Sequence, residues 1–438
     1  MSTAAPSPQS APPAMAKLLI LAAVVGIVAA AAASIFLEVI HLGESFIFTD
    51  LPSSLGMDSA PWWWAALMLL IGAAGVALAR RMPGQTGKGP LTGFHFDNPL
   101  AAVPSILVAA LATLMFGFVL GPEAPLIVLG TAVGALATRR AEPQVQRAAM
   151  LLGGVAAIGA VFGNPFITAF MILEFAAFGL VPSAVLPAVF VALGAGYLTQ
   201  VGILGLPGFG VHTLSVPGLP AYDTILPGDV VFGFIVAFIA AVVLVVVREG
   251  AVAIDKVAQR KPVALLFAGA IVTALVLLVA QVGFGVEQDL VLFSGQSGMA
   301  SLLTQTSVGV VIVIVVTKAI AYMAALGGGF RGGPIFPATF LGVGVGLFFS
   351  LVVPSASISP MAAAGIAAAA AAMIKLPGTS ALLGALLIGG SGAAIAPFAI
   401  FGAIIGLIVR TVADRRLGVT PATEATTPTD PTGAAHAA

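Results

Sequence analysis

The run Val119-Leu120-Gly121-Pro122-Glu123-Ala124-Pro125-Leu126 sets one carboxylate into a stretch, Pro99 to Thr138, that is otherwise uncharged. A charge at membrane depth costs from about 3 to more than 10 kcal/mol, so something must offset it. Gly121 and Pro122 break the chain and an apolar, helix-like run follows, which puts Glu123 in the first turn of a new helix. Pro is pre-organised for such a turn. The unpaired N–H groups and the positive end of the macrodipole favour an anion there. Two readings stay open: an anion-binding site with a built-in competing anion, or a structural cap on a re-entrant turn. The second half of the chain repeats the arrangement, which favours the first reading.

The elements that must hold this carboxylate are apolar from end to end. The chain has 438 residues, 60% of them hydrophobic and 8% charged, against roughly 25% charged in soluble domains. This is an all-α polytopic membrane protein with no room for a soluble catalytic domain. Net charge is zero, which leaves a nucleic-acid partner without electrostatic support; the lipid bilayer and small anions are the expected partners. An intramembrane enzyme would need a nucleophile–base pair or a metal cluster. His41, His95, His212 and His436 are scattered, no H-E-x-x-H occurs and Cys is absent, so no enzyme, metal or cofactor is expected. Trp62-Trp63-Trp64 reads as an interfacial belt at a helix start rather than a cation-binding box.

Apolar segments begin near Met15, Pro61, Ala101, Gln146, Pro182, Gly228, Pro262, Ser307, Gly333, Pro360 and Leu376. Several are too short or too interrupted to cross a bilayer at about 20 residues per span, which points to re-entrant helices lining a cavity. Basic residues collect at Arg80-Arg81, Arg139, Arg140 and Arg147, from Arg248 to Lys261, and from Arg410 to Arg416. The positive-inside rule places these loops and both termini in the cytoplasm of a plasma-membrane protein. The expected organisation is a disordered leader over 1–14, a first membrane repeat over 15–204, an extracellular connection over 205–229, a second repeat over 230–412 and a disordered tail over 413–438.

The halves look alike. GFVLGPEAPLIVLGTAVGAL is followed by AAMLLGGVAAIGAVFGNPFITAFMILE, and GGGFRGGPIFPATFLGVGVGL by AAAGIAAAAAAMIKLPGTSALLGALLIG. Each has a Gly/Pro break opening a small-residue helix, then an Ala/Gly-rich helix, then a Pro (Pro165 or Pro377) before another apolar run. Repeats with interrupted helices are the signature of a transport pathway at their interface, and the Gly and Ala content fits close helix approach in lipid.

These residues resemble the CLC family of voltage-gated chloride channels and chloride/proton antiporters, whose signatures are GSGIP, GREGP and GxFxP in that order. Gly121-Pro122-Glu123-Ala124-Pro125 looks like the second, and Gly333-Pro334-Ile335-Phe336-Pro337 like the third with its Phe moved by one place. Asn164-Pro165 and the run ending at Glu174 resemble the helix after the second motif, and Lys318 sits where the family commonly has Lys. The likeness spans roughly residues 15 to 412. It implies two inverted-topology repeats with broken and re-entrant helices, and a homodimer with a pore in each subunit. It also implies that chloride, the transported ion, is held by backbone N–H groups and helix dipoles rather than by full charges. Glu123 matches the gating glutamate, and Gly121, Glu123, Ala124, Gly333, Ile335 and Phe336 are the expected anion-binding backbone.

Several departures bear on the site. The first motif is the poorest match: Thr86-Gly87-Lys88-Gly89-Pro90 has Lys88 where the family usually has a Ser. Gly87, Lys88 and Gly89 are candidate anion contacts, with Lys88 either binding anion or snorkelling to the surface. Pro122 and Pro334 lack N–H donors. The family's pore Tyr near the carboxyl end has no match, since the last Tyr is Tyr322, and the final membrane helix is expected to be missing or replaced by the tail. Antiporters in the family carry two adjacent acids where this chain has Glu174-Phe175. Phe175 stands at the proton relay, and a phenyl ring carries no proton. The expected activity is therefore a chloride channel gated by Glu123. A proton-coupled antiporter, with Glu174 on the proton path, and a CLC-type transporter of nitrate or fluoride are the alternatives.

Overall fold

A computed structural model describes residues 12–389 and 393–417. Within them, helices of ten residues or more fall into two matched series. The first is α1 (Pro12–Ser45), α2 (Trp62–Ala79), α3 (Val103–Leu114), α4 (Glu123–Ala137), α5 (Pro143–Phe162), α6 (Pro165–Ala177) and α7 (Leu186–Leu204). The second is α8 (Pro227–Ala258), α9 (Pro262–Phe284), α10 (Val308–Gly327), α11 (Ile335–Val352), α12 (Ile358–Ile374), α13 (Pro377–Leu386) and α14 (Ala396–Arg416). Among the described residues nine helices are long and apolar enough to cross a membrane. Helices α3, α4, α6 and α12 are apolar but shorter. At about 1.5 Å per residue, the 15-residue α4 reaches only part-way through a bilayer.

The two series are in register. Gly121 and Gly333, Pro122 and Pro334, Pro125 and Pro337, and Pro165 and Pro377 each stand 212 positions apart. Packing follows the same spacing. A Cβ on Gly130 would strike the Gly153 carbonyl where α4 crosses α5, and a Cβ on Gly342 would strike the Gly365 carbonyl where α11 crosses α12. Small residues let these backbones approach closely, which is how helices associate in lipid without a hydrophobic driving force.

The repeats meet at their breaks. The Gly121 N–H donates to the Gly333 carbonyl at 2.7 Å and the Gly333 N–H returns the bond at 2.5 Å, an isolated antiparallel bridge. Phe118 stacks on Phe330, centroids 3.8 Å apart, at the same spacing. Equivalent residues pair antiparallel with each other only across a local two-fold axis, so the repeats are inverted about this point. Helix α4 leaves it toward Arg139 and Arg140. Helix α11 leaves it toward Ser357, whose amide donates to Asp229 at 2.9 Å in the first turn of α8.

Boundaries shift from the sequence reading at three places. Helix α1 begins at Pro12, inside the expected leader, and α8 begins at Pro227, so the connection stops short of 229. Helix α14 runs to Arg416 rather than ending at 412. Its last turns are held by Arg410, which donates to Asp414 at 2.8 Å and to the Ala372 carbonyl at 2.7 Å near the end of α12, a favourable place for a cation. Residues 1–11 and 418–438, where the rest of the leader and tail expectations fall, lie outside the described residues. The connection itself is stitched to the bundle: Gly210 and His212 bind Glu38 of α1, at 3.0 and 2.8 Å, and the Leu214 N–H donates to the Val161 carbonyl at 2.9 Å.

Candidate functional site

Glu123 opens α4 and is fully buried. Its side chain crosses the repeat boundary, and Oε1 accepts a 2.8 Å hydrogen bond from the Phe336 N–H in the first turn of α11. The carboxylate thus lies between the amino ends of two helices that run apart from the two-fold axis. The first N–H groups of each helix have no intrahelical partner, and the residues after them, Pro125 and Pro337, have no N–H at all. Donors at this point come down to Glu123, Ala124, Ile335 and Phe336. The space is cut to fit, because a Cβ on Gly121 or on Gly333 would overlap Glu123 Oε2. Oε2 itself has no hydrogen-bond partner.

This geometry corrects two of the expected donors. Gly121 and Gly333 spend their N–H groups on each other's carbonyls, so they wall the site rather than ligate an anion. Equivalence across the two-fold axis is the reason: each amide finds its copy's carbonyl directly opposite.

Two side chains of α10 brace the second break. The Tyr322 hydroxyl, fully buried, donates to the Pro334 carbonyl at 2.8 Å. Lys318, also fully buried, donates to the Leu292 carbonyl at 2.6 Å and lies 4.4 Å from the centre of the Phe340 ring.

The first motif forms a loop of left-handed residues: Gly84, Gln85, Thr86 and Gly87 all have positive φ, 71° at the buried Thr86. A β-branched residue is a true outlier there, and such strain persists only where the surroundings over-determine it. The restraint is Arg331, which donates from Nε to the Thr86 carbonyl at 2.7 Å and from Nη2 to the Gly87 carbonyl at 3.1 Å. Lys88 is 53% exposed. It donates to His95 Nδ1 at 3.2 Å and lies 3.7 Å from Asp97. Burial and the Lys88 ammonium hold His95 below its ordinary pKa. Neutral His95 therefore accepts at Nδ1 and donates from Nε2 to Thr92 Oγ1 at 2.9 Å, which in turn donates to the Gly89 carbonyl. The Gly87 N–H donates to the Gly84 carbonyl at 2.9 Å and is not free for an anion, while the Lys88 ammonium is held by His95 and Asp97.

Glu174 lies elsewhere. It closes α6, where its carboxylate accepts from the Gly378 N–H at 2.6 Å and from the Thr379 N–H and hydroxyl at 2.8 and 2.5 Å. All of these belong to the first turn of α13, so Glu174 caps that helix. Beside it, Phe175 packs edge-on to Phe96, centroids 6.3 Å apart.

A buried carboxylate between inverted repeats of broken helices defines a membrane transport protein of the CLC type. A family model described as "Voltage gated chloride channel" matches residues 85–411, and the chain belongs to that family. YfeO of Escherichia coli (strain SMS-3-5 / SECEC) is 27% identical over 361 residues, covering 78% of this chain and 81% of YfeO. The structure of a slow cyanobacterial Cl−/H+ antiporter superposes with TM-score 0.75 at 18% identity, covering 96% of this chain and 97% of the other. A CLC-type fluoride/proton antiporter gives 0.66 at 17% identity, covering 92% and 98%. At these identities the superpositions establish the fold, that of an integral, multi-pass membrane protein.

Proposed function

We propose that this chain conducts small monovalent anions, chloride first among them, through a pathway that Glu123 closes when ionised. The observation that carries this reading is the Glu123 carboxylate against the Phe336 amide, between the amino ends of α4 and α11. A carboxylate there is bound as a chloride ion would be, by backbone N–H groups and helix dipoles. Neutral donors suit throughput, since a site must bind firmly enough to admit the ion and weakly enough to release it. Purified protein in liposomes should release chloride at zero pH gradient faster than empty vesicles do. Release no faster than from empty vesicles refutes the reading.

A proton-coupled antiporter is the second reading, favoured by the antiporters that this fold superposes on. Against it stand Phe175 at the relay position and Glu174 capping α13. The basic loops put the side of Arg80, Arg139 and Arg248 in the cytoplasm, with both termini. The working unit is a homodimer in the plasma membrane with one pathway per subunit, built on apolar faces such as that of α7, where Phe190 and Leu198 are exposed. Mass photometry in detergent should show a species near twice the 43.6 kDa chain. A strict monomer at every concentration rules the dimer out.

A further inference from the structure

Helices α4 and α11 begin alike but are not held alike. At the first break the Pro122 carbonyl accepts from the Leu126 N–H at 3.1 Å, the ordinary opening bond of a helix. At the second, no such bond from Ala338 is formed among the described residues. The Pro334 carbonyl accepts from the Tyr322 hydroxyl at 2.8 Å instead. The position equivalent to Tyr322, 212 residues earlier, is Ala110, whose side chain carries no donor. The phenol is therefore an addition of the second repeat, placed on a carbonyl that the first repeat satisfies without it.

The peptide unit it holds gives this bond a use. The Pro334–Ile335 peptide is trans and planar, so the Ile335 N–H points away from the Pro334 carbonyl. On that far side lies the Glu123 carboxylate, faced by the N–H groups of both Ile335 and Phe336. Holding the carbonyl thus aims the Ile335 N–H. A hydrogen bond accepted by the carbonyl also polarises the peptide unit and strengthens that N–H as a donor. The hydroxyl has little freedom to do otherwise. Tyr322 is fully buried, and Lys318, one turn earlier on α10, lies 4.4 Å from the centre of the Phe340 ring on α11, so a second contact fixes the same pair of helices. We propose that Tyr322 is a positioning residue for the anion: through the Pro334–Ile335 peptide it sets how tightly the amino end of α11 holds a small monovalent anion, the Glu123 carboxylate included. This rests on the anion-pathway reading above. A bond that served only to satisfy a buried carbonyl would leave anion affinity unchanged on its removal.

Chloride binding to the full chain in detergent, followed by isothermal titration calorimetry, tests the proposal apart from transport. In a Glu123→Gln background, where the competing carboxylate is gone, adding Tyr322→Phe should weaken chloride binding about three- to tenfold, the loss of one neutral hydrogen bond. In liposomes, Tyr322→Phe with Glu123 intact should move the pH at which chloride flux rises upward by roughly half a unit to one unit, because the ionised carboxylate is held less firmly. Unchanged chloride affinity, or an unchanged pH midpoint, in a folded Phe variant overturns the proposal. Should that variant fail to fold, replacing Tyr322 by a tyrosine fluorinated beside its hydroxyl keeps the shape and makes the phenol a stronger donor. Chloride should then bind more tightly, and unaltered binding overturns the proposal equally. Chloride binding that depends on Tyr322 in a protein that moves no chloride would uphold the positioning role and overturn the transport reading. No chloride binding at all in Glu123→Gln overturns both.

Discussion

Replacing Glu123 by Gln should raise chloride flux from liposomes at neutral pH by roughly 10- to 100-fold and abolish its dependence on pH. The magnitude follows from what holds the gate shut, a hydrogen bond to a charged acceptor worth about 1.5–3 kcal/mol. The sign follows from the same contact. Ionised Glu123 accepts from Phe336 and occupies the space between α4 and α11, whereas protonation removes the negative charge that those helix ends attract. Wild-type flux should accordingly rise as pH falls, and the Gln variant should sit at the raised level throughout. Glu123→Ala, which empties the same space, should behave similarly. Fluorescence or electrode recordings of chloride efflux across a pH series would check this, and identical pH profiles in the wild type and both variants would exclude Glu123 as the gate.

The second large effect is an absence of coupling. A chloride gradient imposed across proteoliposomes at zero pH gradient should drive chloride without stoichiometric proton movement. The position aligned with the proton relay holds no titratable group: Phe175 packs against Phe96, and the neighbouring Glu174 oxygens are held by Gly378 and Thr379. Freeing Glu174 would leave the first turn of α13 without its anion, which links any proton role to disruption of that helix end. External pH recorded during chloride flow decides the matter. Uphill proton movement that stops in Glu123→Ala would establish an antiporter, and the proton would then have to travel by a path other than the one aligned with Phe175.

Much of the pathway was legible because membrane chemistry leaves coarse marks. A single acid amid apolar residues, Gly-Pro breaks before Glu123 and Ile335, and small-residue runs repeated in both halves follow from local demands of helix ends and lipid. Such demands act on neighbouring residues, so they show in one dimension. Glu174 shows how far that goes. Its place at a helix end was readable, but its capping of α13 depends on a partner some two hundred residues away.

What only the tertiary structure decided are the contacts across the two-fold axis. Nothing local tells that Gly121 and Gly333 spend their amides on each other, or that the donor reaching Glu123 is Phe336. The role of Arg331 within GGGFRGGP is hidden in the sequence, because its partners at Thr86 and Gly87 are backbone carbonyls. Every residue has a carbonyl, so such a partnership leaves no trace in residue type. Tyr322 is a similar case, a phenol twelve residues before the Pro334 carbonyl that it holds. The sequence by itself determined the class of membrane protein, the broken helices and the buried carboxylate at a helix start, since burial in lipid constrains residue types directly. The folded chain decided which backbone groups remain free to meet an anion, since that depends on how two inverted halves close on one another.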